Sequence, residues 1–211
     1  MNLFFDLDGT LTDPFEGITR SIIHALQMVG APAPHADELT WMIGPALLDS
    51  FARIGVSDPQ EALHHYRDRY ARVGLYENRL YSRVLQVLSG LRDKGHRLFL
   101  MTAKPHEYAK IITAHFGISP FLEAEFGPEL DGTRNDKAEL LAHGLARTGA
   151  KPGNSVMIGD RRFDHVAARR NGLTSIAALW GYGTEDEHAQ ADLRCACPAD
   201  LTAIVGRLGA D

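Results

Sequence analysis

Leu3-Phe4-Phe5-Asp6-Leu7-Asp8-Gly9-Thr10-Leu11 is the stretch on which the fold turns. Leu3 to Phe5 form a short apolar run that stops at an acid, which reads as a buried strand. Past it the period changes. Ile18, Ile22, Leu26 and Val29 fall at helical spacing and Gly30 follows as a stop. Asp58-Pro59-Gln60-Glu61 reads as an N-cap, a first-turn proline and a capping-box glutamate, with Leu63, Tyr66 and Tyr70 continuing that helix. Residues 15–80 therefore read as helical. From Tyr81 onward strands alternate with helices. Helices are predicted at Val84–Lys94, Pro105–Phe116, Ala138–Arg147, Asp164–Asn171 and Ala199–Leu208. Strands are predicted at Arg97–Thr102, Ser155–Ile158 and Thr174–Leu179. That alternation implies a Rossmann-like α/β core with a parallel sheet covered on both faces. The core spans residues 1–14 and 82–211, and residues 15–81 form a small inserted α-helical cap. Asp13-Pro14 and Glu77-Asn78 are its expected hinges.

Composition narrows the function classes. With 211 residues and 45% hydrophobic content the chain can build a full core and is not a disordered segment. Its net charge of −5 argues against a partner that is a nucleic-acid polymer. Cys195 and Cys197 stand too close for common structural zinc patterns, and they read as small residues near a late strand. No disulfide framework is expected, which suits a cytoplasmic location. Neither a signal peptide nor a membrane span is expected. Ten histidines without ligand spacing read as surface or packing residues, and Glu185-Asp186-Glu187 as a solvated helix start.

In an open parallel sheet, ligands bind beyond the carboxyl ends of the strands. Those ends carry Asp6 and Asp8, then Thr102, Ala103 and Lys104, then Asp160 with Asp164 four residues on; Lys137 precedes a helix between them. Asp6 and Asp8, two apart, can lean to the same side. Two bare carboxylates would repel, and a hard divalent cation such as Mg2+ removes that cost, with Asp160 placed as a further ligand. A carboxylate can attack phosphorus and form an aspartyl-phosphate. Asp8 can then protonate the leaving group and later deprotonate water, the acid of one step being the base of the next. The Thr102 hydroxyl, the Ala103 backbone N–H and Lys137 can support the transferring phosphoryl oxygens.

Phe5-Asp6-Leu7-Asp8-Gly9-Thr10-Leu11 resembles the signature of the haloacid dehalogenase superfamily. Leu100-Met101-Thr102 is similar to its second motif, Lys137 to its third, and Ile158-Gly159-Asp160-Arg161-Arg162-Phe163-Asp164 to its fourth. The helical insert resembles the cap of the phosphoglycolate phosphatase branch. Ile43-Gly44-Pro45, Tyr76 to Tyr81, Thr102-Ala103-Lys104-Pro105 and Leu130 to Arg134 resemble bacterial 5′-nucleotidase-like members. The resemblance implies Asp6 as nucleophile and Asp8 as general acid/base. It implies Mg2+ held by Asp6, the Asp8 backbone carbonyl and Asp160, and phosphate contacts from Thr102 and Lys137. Two positions depart from the pattern: Ala103 stands where relatives often carry Ser or Asn, and Ala46 where many carry a second Pro.

The resulting expectation is a Mg-dependent phosphomonoester hydrolase acting on a small phosphorylated metabolite, a nucleoside monophosphate or a phosphoglycolate-like acid, as a monomer or homodimer. A sugar-phosphate mutase is the nearest alternative. A dehalogenase is disfavoured by Asp8 followed by Gly9-Thr10, and a non-catalytic binding protein by the intact motifs. Specificity is expected from a cap that closes over the site. Arg20, Arg53 and Lys104 are the candidates to meet a substrate anion, against solvated helix positions as the ordinary fate of the two arginines.

Overall fold

In the computed structural model, which describes residues 1–208, the run Asn2–Phe5 is strand β1 and is buried throughout. It pairs in parallel with Arg97–Met101 (β4) on one side and Ser155–Gly159 (β6) on the other. Beyond β4 lies Ala124–Phe126 (β5); beyond β6 lie Thr174–Ala178 (β7) and Leu193–Cys195 (β8). The sheet order is β5-β4-β1-β6-β7-β8. Each paired strand runs parallel to its neighbour, as the alternation of elements requires. The chain winds outward from β1 to β5 and then restarts at β6 on β1's other flank. That reversal opens a crevice beyond the carboxyl ends of β1 and β6.

The sheet is held by apolar packing on both faces. Phe4 stacks on Phe99 with centroids 4.8 Å apart, and Met101, Leu141, Met157 and Ala168 close the same buried cluster. Helices Val84–Asp93 (α4), His106–His115 (α5), Lys137–Thr148 (α6), Arg162–Asn171 (α7) and Leu201–Leu208 (α9) supply the covering layers. Strands β5 and β8 escape the sequence pattern. Each is three residues long at a sheet edge, too short for a period to register.

The chain divides into two units of Cα packing: Met1–Asp13 with Leu80–Asp211, and Pro14–Arg79. Two-residue strands β2 (Thr12–Asp13) and β3 (Arg79–Leu80) mark where the chain leaves and rejoins the first unit. The second unit contains helices Phe15–Met28 (α1), Leu47–Arg53 (α2) and Pro59–Arg69 (α3). Ile18, Ile22, Ala25 and Leu26 form the buried face of α1. The Asp58 carboxylate caps α3, accepting from the Gln60 and Glu61 N–H groups. The α3 helix runs into one wide π-turn, Tyr70–Gly74, where Gly74 meets Gly17 so closely that a Cβ on Gly17 would lie 2.1 Å from the Gly74 carbonyl. Among the described residues no helix is long and apolar enough to cross a membrane.

Glu77 ties the ends of this second unit together. Its carbonyl accepts from the Gly17 N–H, and its carboxylate takes Arg69 at 2.8 and 3.1 Å and Arg20 at 2.9 Å. Arg69, foremost, holds the Glu77 carboxyl below its usual range. Such a carboxylate adds stability above its unfolded pKa of 4.5 and loses it as pH falls through its lowered folded value. Glu77→Gln should therefore cost about 1–2 kcal/mol at neutral pH, kept small by solvent screening. Urea unfolding across pH checks this: the difference between the two proteins should shrink in acid, and a pH-independent difference would contradict it.

Candidate active site

Register brings the site residues to one level. Phe5 lies opposite both Leu100 and Ile158, so Asp6–Asp8, Thr102 and Asp160 leave the sheet together. The Asp6 N–H still donates to the Ile158 carbonyl at 2.9 Å, which ends β1 firmly. The chain then tightens: the Leu7 carbonyl accepts from Leu11 and Thr12 N–H groups, and the Gly9 N–H donates to Thr12 at 2.8 Å. Gly9 is required by two facts. Its φ is +80°, and a Cβ there would lie 2.2 Å from Asp160 Oδ2.

Four carboxylates and two ammonium groups are buried here: Asp6, Asp8, Asp160 and Asp164 with Lys104 and Lys137. Lys137, the first residue of α6, reaches Asp6 Oδ1 at 2.9 Å and Asp164 Oδ1 at 2.5 Å. Asp136 caps that helix, accepting from Ala138 and Glu139 N–H groups, and so fixes where Lys137 starts. Lys104 Nζ lies 2.8 Å from Asp8 Oδ2. Asp8 Oδ1 is buried without a hydrogen-bond partner among the described residues. Asp164 also accepts from the Arg161 N–H at 3.1 Å, closing the first turn of α7.

The electrostatics follow from this crowding. Burial, then Asp6 and Asp164, push the Asp160 carboxyl well above its ordinary value. Burial pushes Asp164 up to about 6, with Lys137 pulling the other way. Burial raises Asp8, and Lys104 opposes that rise. Burial works against the charge of Lys137, but Asp164 and Asp6 outweigh it and hold the amine protonated. With every group ionised, four negative charges stand against two positive ones, a deficit of two that one divalent cation matches. Asp6, Asp160 and Asp164 each offer an oxygen, all within 4.8 Å of one another. This oxygen-only donor set suits a hard cation. The Asp8 side chain, by contrast, is turned to Lys104.

The Thr102 hydroxyl accepts from the Lys104 N–H at 3.2 Å, which leaves its own O–H to donate elsewhere. Ala103 sits half-buried beside it. The two arginines of the second unit stand differently. Arg20 pairs with Glu16 and Glu77, and Arg53 stacks over the Trp41 ring at 4.5 Å, each within the second unit.

The Trp180-Gly181-Tyr182-Gly183 loop after β7 went unnoticed in the sequence. The Tyr182 N–H donates to Asp160 Oδ2 at 2.7 Å, its hydroxyl bonds Asp13, and Trp180 Nε1 donates to the Thr10 carbonyl at 3.0 Å. A Cβ on Gly181 would lie 2.4 Å from the Asp160 Cβ. Two glycines flanking a tyrosine just past a strand end were the available signal. Glu187 corrects an expectation: it is buried, not solvated, because it takes Arg161 Nε at 3.1 Å and caps α8 (Glu185–His188) through the Thr184 N–H. Glu185 and Asp186 are exposed, and the buried His165 and His188 are packing residues.

Residues 3–178 match the family model described as haloacid dehalogenase-like hydrolase. The chain is 43% identical over 206 residues to a 5′-nucleotidase of Pseudomonas aeruginosa, covering 96% of this chain and 93% of that one. It is 38% identical over 185 residues to the tyrosine-protein kinase PtkA of Mycobacterium tuberculosis, covering 87% of this chain and 64% of that one. A predicted phosphatase from Clostridium acetobutylicum superposes with a TM-score of 0.90 at 30% identity, covering 100% of this chain and 98% of that one.

The glycine packing is directly testable. Gly9→Ala should destabilise by about 2–4 kcal/mol, since Asp160 is held and cannot give way. Gly30→Ala, also at positive φ but facing open space, should cost about 1–2 kcal/mol. Equal losses in thermal unfolding would show that the Asp160 contact is not what demands glycine at position 9.

Proposed function

The chain belongs to the haloacid dehalogenase-like hydrolase family and is one of its phosphatases, and we propose that it hydrolyses a small phosphomonoester through an aspartyl-phosphate on Asp6. The supporting observation is the buried cluster in which Asp6 shares Lys137 with Asp164 and lies within ligand distance of Asp160.

In this reading the Asp6 carboxylate attacks phosphorus and the bond from phosphorus to the ester oxygen breaks. Asp8 gives its proton to that departing oxygen; burial, which favours its protonated form, suits it to the task. Asp8 then takes a proton from water, the water oxygen bonds phosphorus, and the Asp6 carboxylate is released with inorganic phosphate. Lys137 holds one Asp6 oxygen in place, while Asp164 fixes Lys137. The Thr102 hydroxyl and the Ala103 N–H donate to the phosphoryl oxygens. Asp6, the Asp8 backbone carbonyl and Asp160 would hold Mg2+, which supplies the positive charge that lets an anionic carboxylate meet an anionic ester. Residues 1–14 and 82–211 would form the catalytic core, and residues 15–81 its helical cap.

The substrate is a small phosphorylated metabolite. The name of the Pseudomonas relative favours a nucleoside monophosphate over a phosphoglycolate-like acid. Phosphate release across nucleoside monophosphates, phosphoglycolate and sugar phosphates, ranked by kcat/KM, should place a nucleotide first. Asp6→Asn should lose at least about 10⁴-fold and Asp8→Asn about 10²–10⁴-fold. An Asp6→Asn protein as active as wild type would sink the mechanism.

Metal binding has its own readout. Mg2+ at a hundred times its Kd should add about 2.7 kcal/mol of stability. Asp160→Asn should remove most of that gain, as measured by thermal shift with and without chelator. An undiminished gain in the variant would place the cation elsewhere.

A further inference from the structure

We propose that Lys104 is the positioning residue for Asp8 and acts through it on the departing oxygen, instead of binding an anionic part of the substrate. This rests on the functional reading above, in which Asp8 is the proton donor.

The geometry is asymmetric. Lys104 Nζ lies 2.8 Å from Asp8 Oδ2, and its side chain is 5% exposed. Asp8 Oδ1 is buried and has no hydrogen-bond partner among the described residues. One carboxyl oxygen is thus clamped and the other is left to carry a proton. Lys104 is itself firmly based. Its N–H donates to Thr102 Oγ1 at 3.2 Å, and its carbonyl backs onto Gly127, where a Cβ would come within 2.6 Å of it. The ammonium therefore projects from a fixed turn at the end of β4 onto a carboxylate at the end of β1. A substrate anion drawn to this ammonium would compete with Asp8 for it, and parting the pair would leave a buried carboxylate without its cation, a costly exchange.

Protonated Asp8 accepts a hydrogen bond from Lys104 at Oδ2. Its Oδ1–H bond breaks as the ester oxygen leaves phosphorus, and the proton passes to that oxygen. The resulting carboxylate then forms a charge-assisted pair with the same ammonium. Lys104 thereby fixes the direction of the proton and stabilises the carboxylate formed when it departs. It matters most where the leaving oxygen is a poor anion. An alkoxide from a nucleoside needs the proton; a nitrophenolate does not.

The discriminating experiment compares kcat/KM, which reports all steps through departure of the leaving group, for a nucleoside 5′-monophosphate and p-nitrophenyl phosphate. For Lys104→Met we expect a loss of about 100-fold with the nucleotide and less than about tenfold with the aryl ester. Competitive inhibition by inorganic phosphate should stay within about threefold of wild type, and Lys104→Arg should recover part of the nucleotide rate. If Lys104→Met does not fold, as judged by circular dichroism, Lys104→Gln is read in the same way. Equal losses with both esters, or inhibition by phosphate weakened in parallel with the rates, would overturn the Lys104 assignment and leave the functional reading standing. A wild-type protein that turns over neither ester with Mg2+ would contradict both.

Discussion

Crowded negative charge at the end of one strand is the constraint around which this protein is built. Asp6, Asp8, Asp160 and Asp164 are each at most 9% exposed, and Lys104 and Lys137 are the buried ammonium groups paired within the cluster. Burying such a group is costly unless cations and donors offset the carboxylate charge. The surrounding architecture serves that need. The switch point between β1 and β6 brings the acids together, α6 delivers Lys137 at its first turn, and the loop after β7 adds the Tyr182 N–H to Asp160. Gly9 and Gly181 let two backbones close around Asp160 where no side chain fits.

The two lysines divide the cluster. Lys137 joins the proposed nucleophile to Asp164, whose own carboxylate is anchored by the first turn of α7. Lys104 pairs with the Asp8 side chain, which stands apart from the clustered carboxylate oxygens of Asp6, Asp160 and Asp164. Two carboxylates only two residues apart therefore sit in different company, which is what the proposed division between nucleophile and proton carrier would require. Within the inserted unit the arginines are already engaged: Arg20 by Glu16 and Glu77, Arg53 by the Trp41 ring.

Much of this was legible in the residues. The apolar run before Asp6, the alternation after Tyr81 and the acids at successive strand ends announced a parallel sheet and the edge where its acids gather, because burial and strand direction leave a pattern in the chain. The edge strands β5 and β8 did not, each being three residues long. Nor did the contribution of Tyr182, which acts on Asp160 through its backbone N–H, a group every residue but proline carries. The Lys104–Asp8 pair joins positions 96 residues apart, and nothing local in the sequence distinguishes it from a lysine facing substrate. Glu187 was misjudged for a related reason: its neighbours Glu185 and Asp186 are exposed, while its own partner Arg161 lies on a distant segment.

The central claim is that phosphorus passes through a covalent bond to Asp6. The stereochemical course of hydrolysis tests it most directly, using a phosphate ester made chiral at phosphorus with oxygen isotopes. Two successive in-line displacements, by Asp6 and then by water, invert the centre twice, so the account predicts net retention. Net inversion would mean that water attacks the ester directly, and would contradict it.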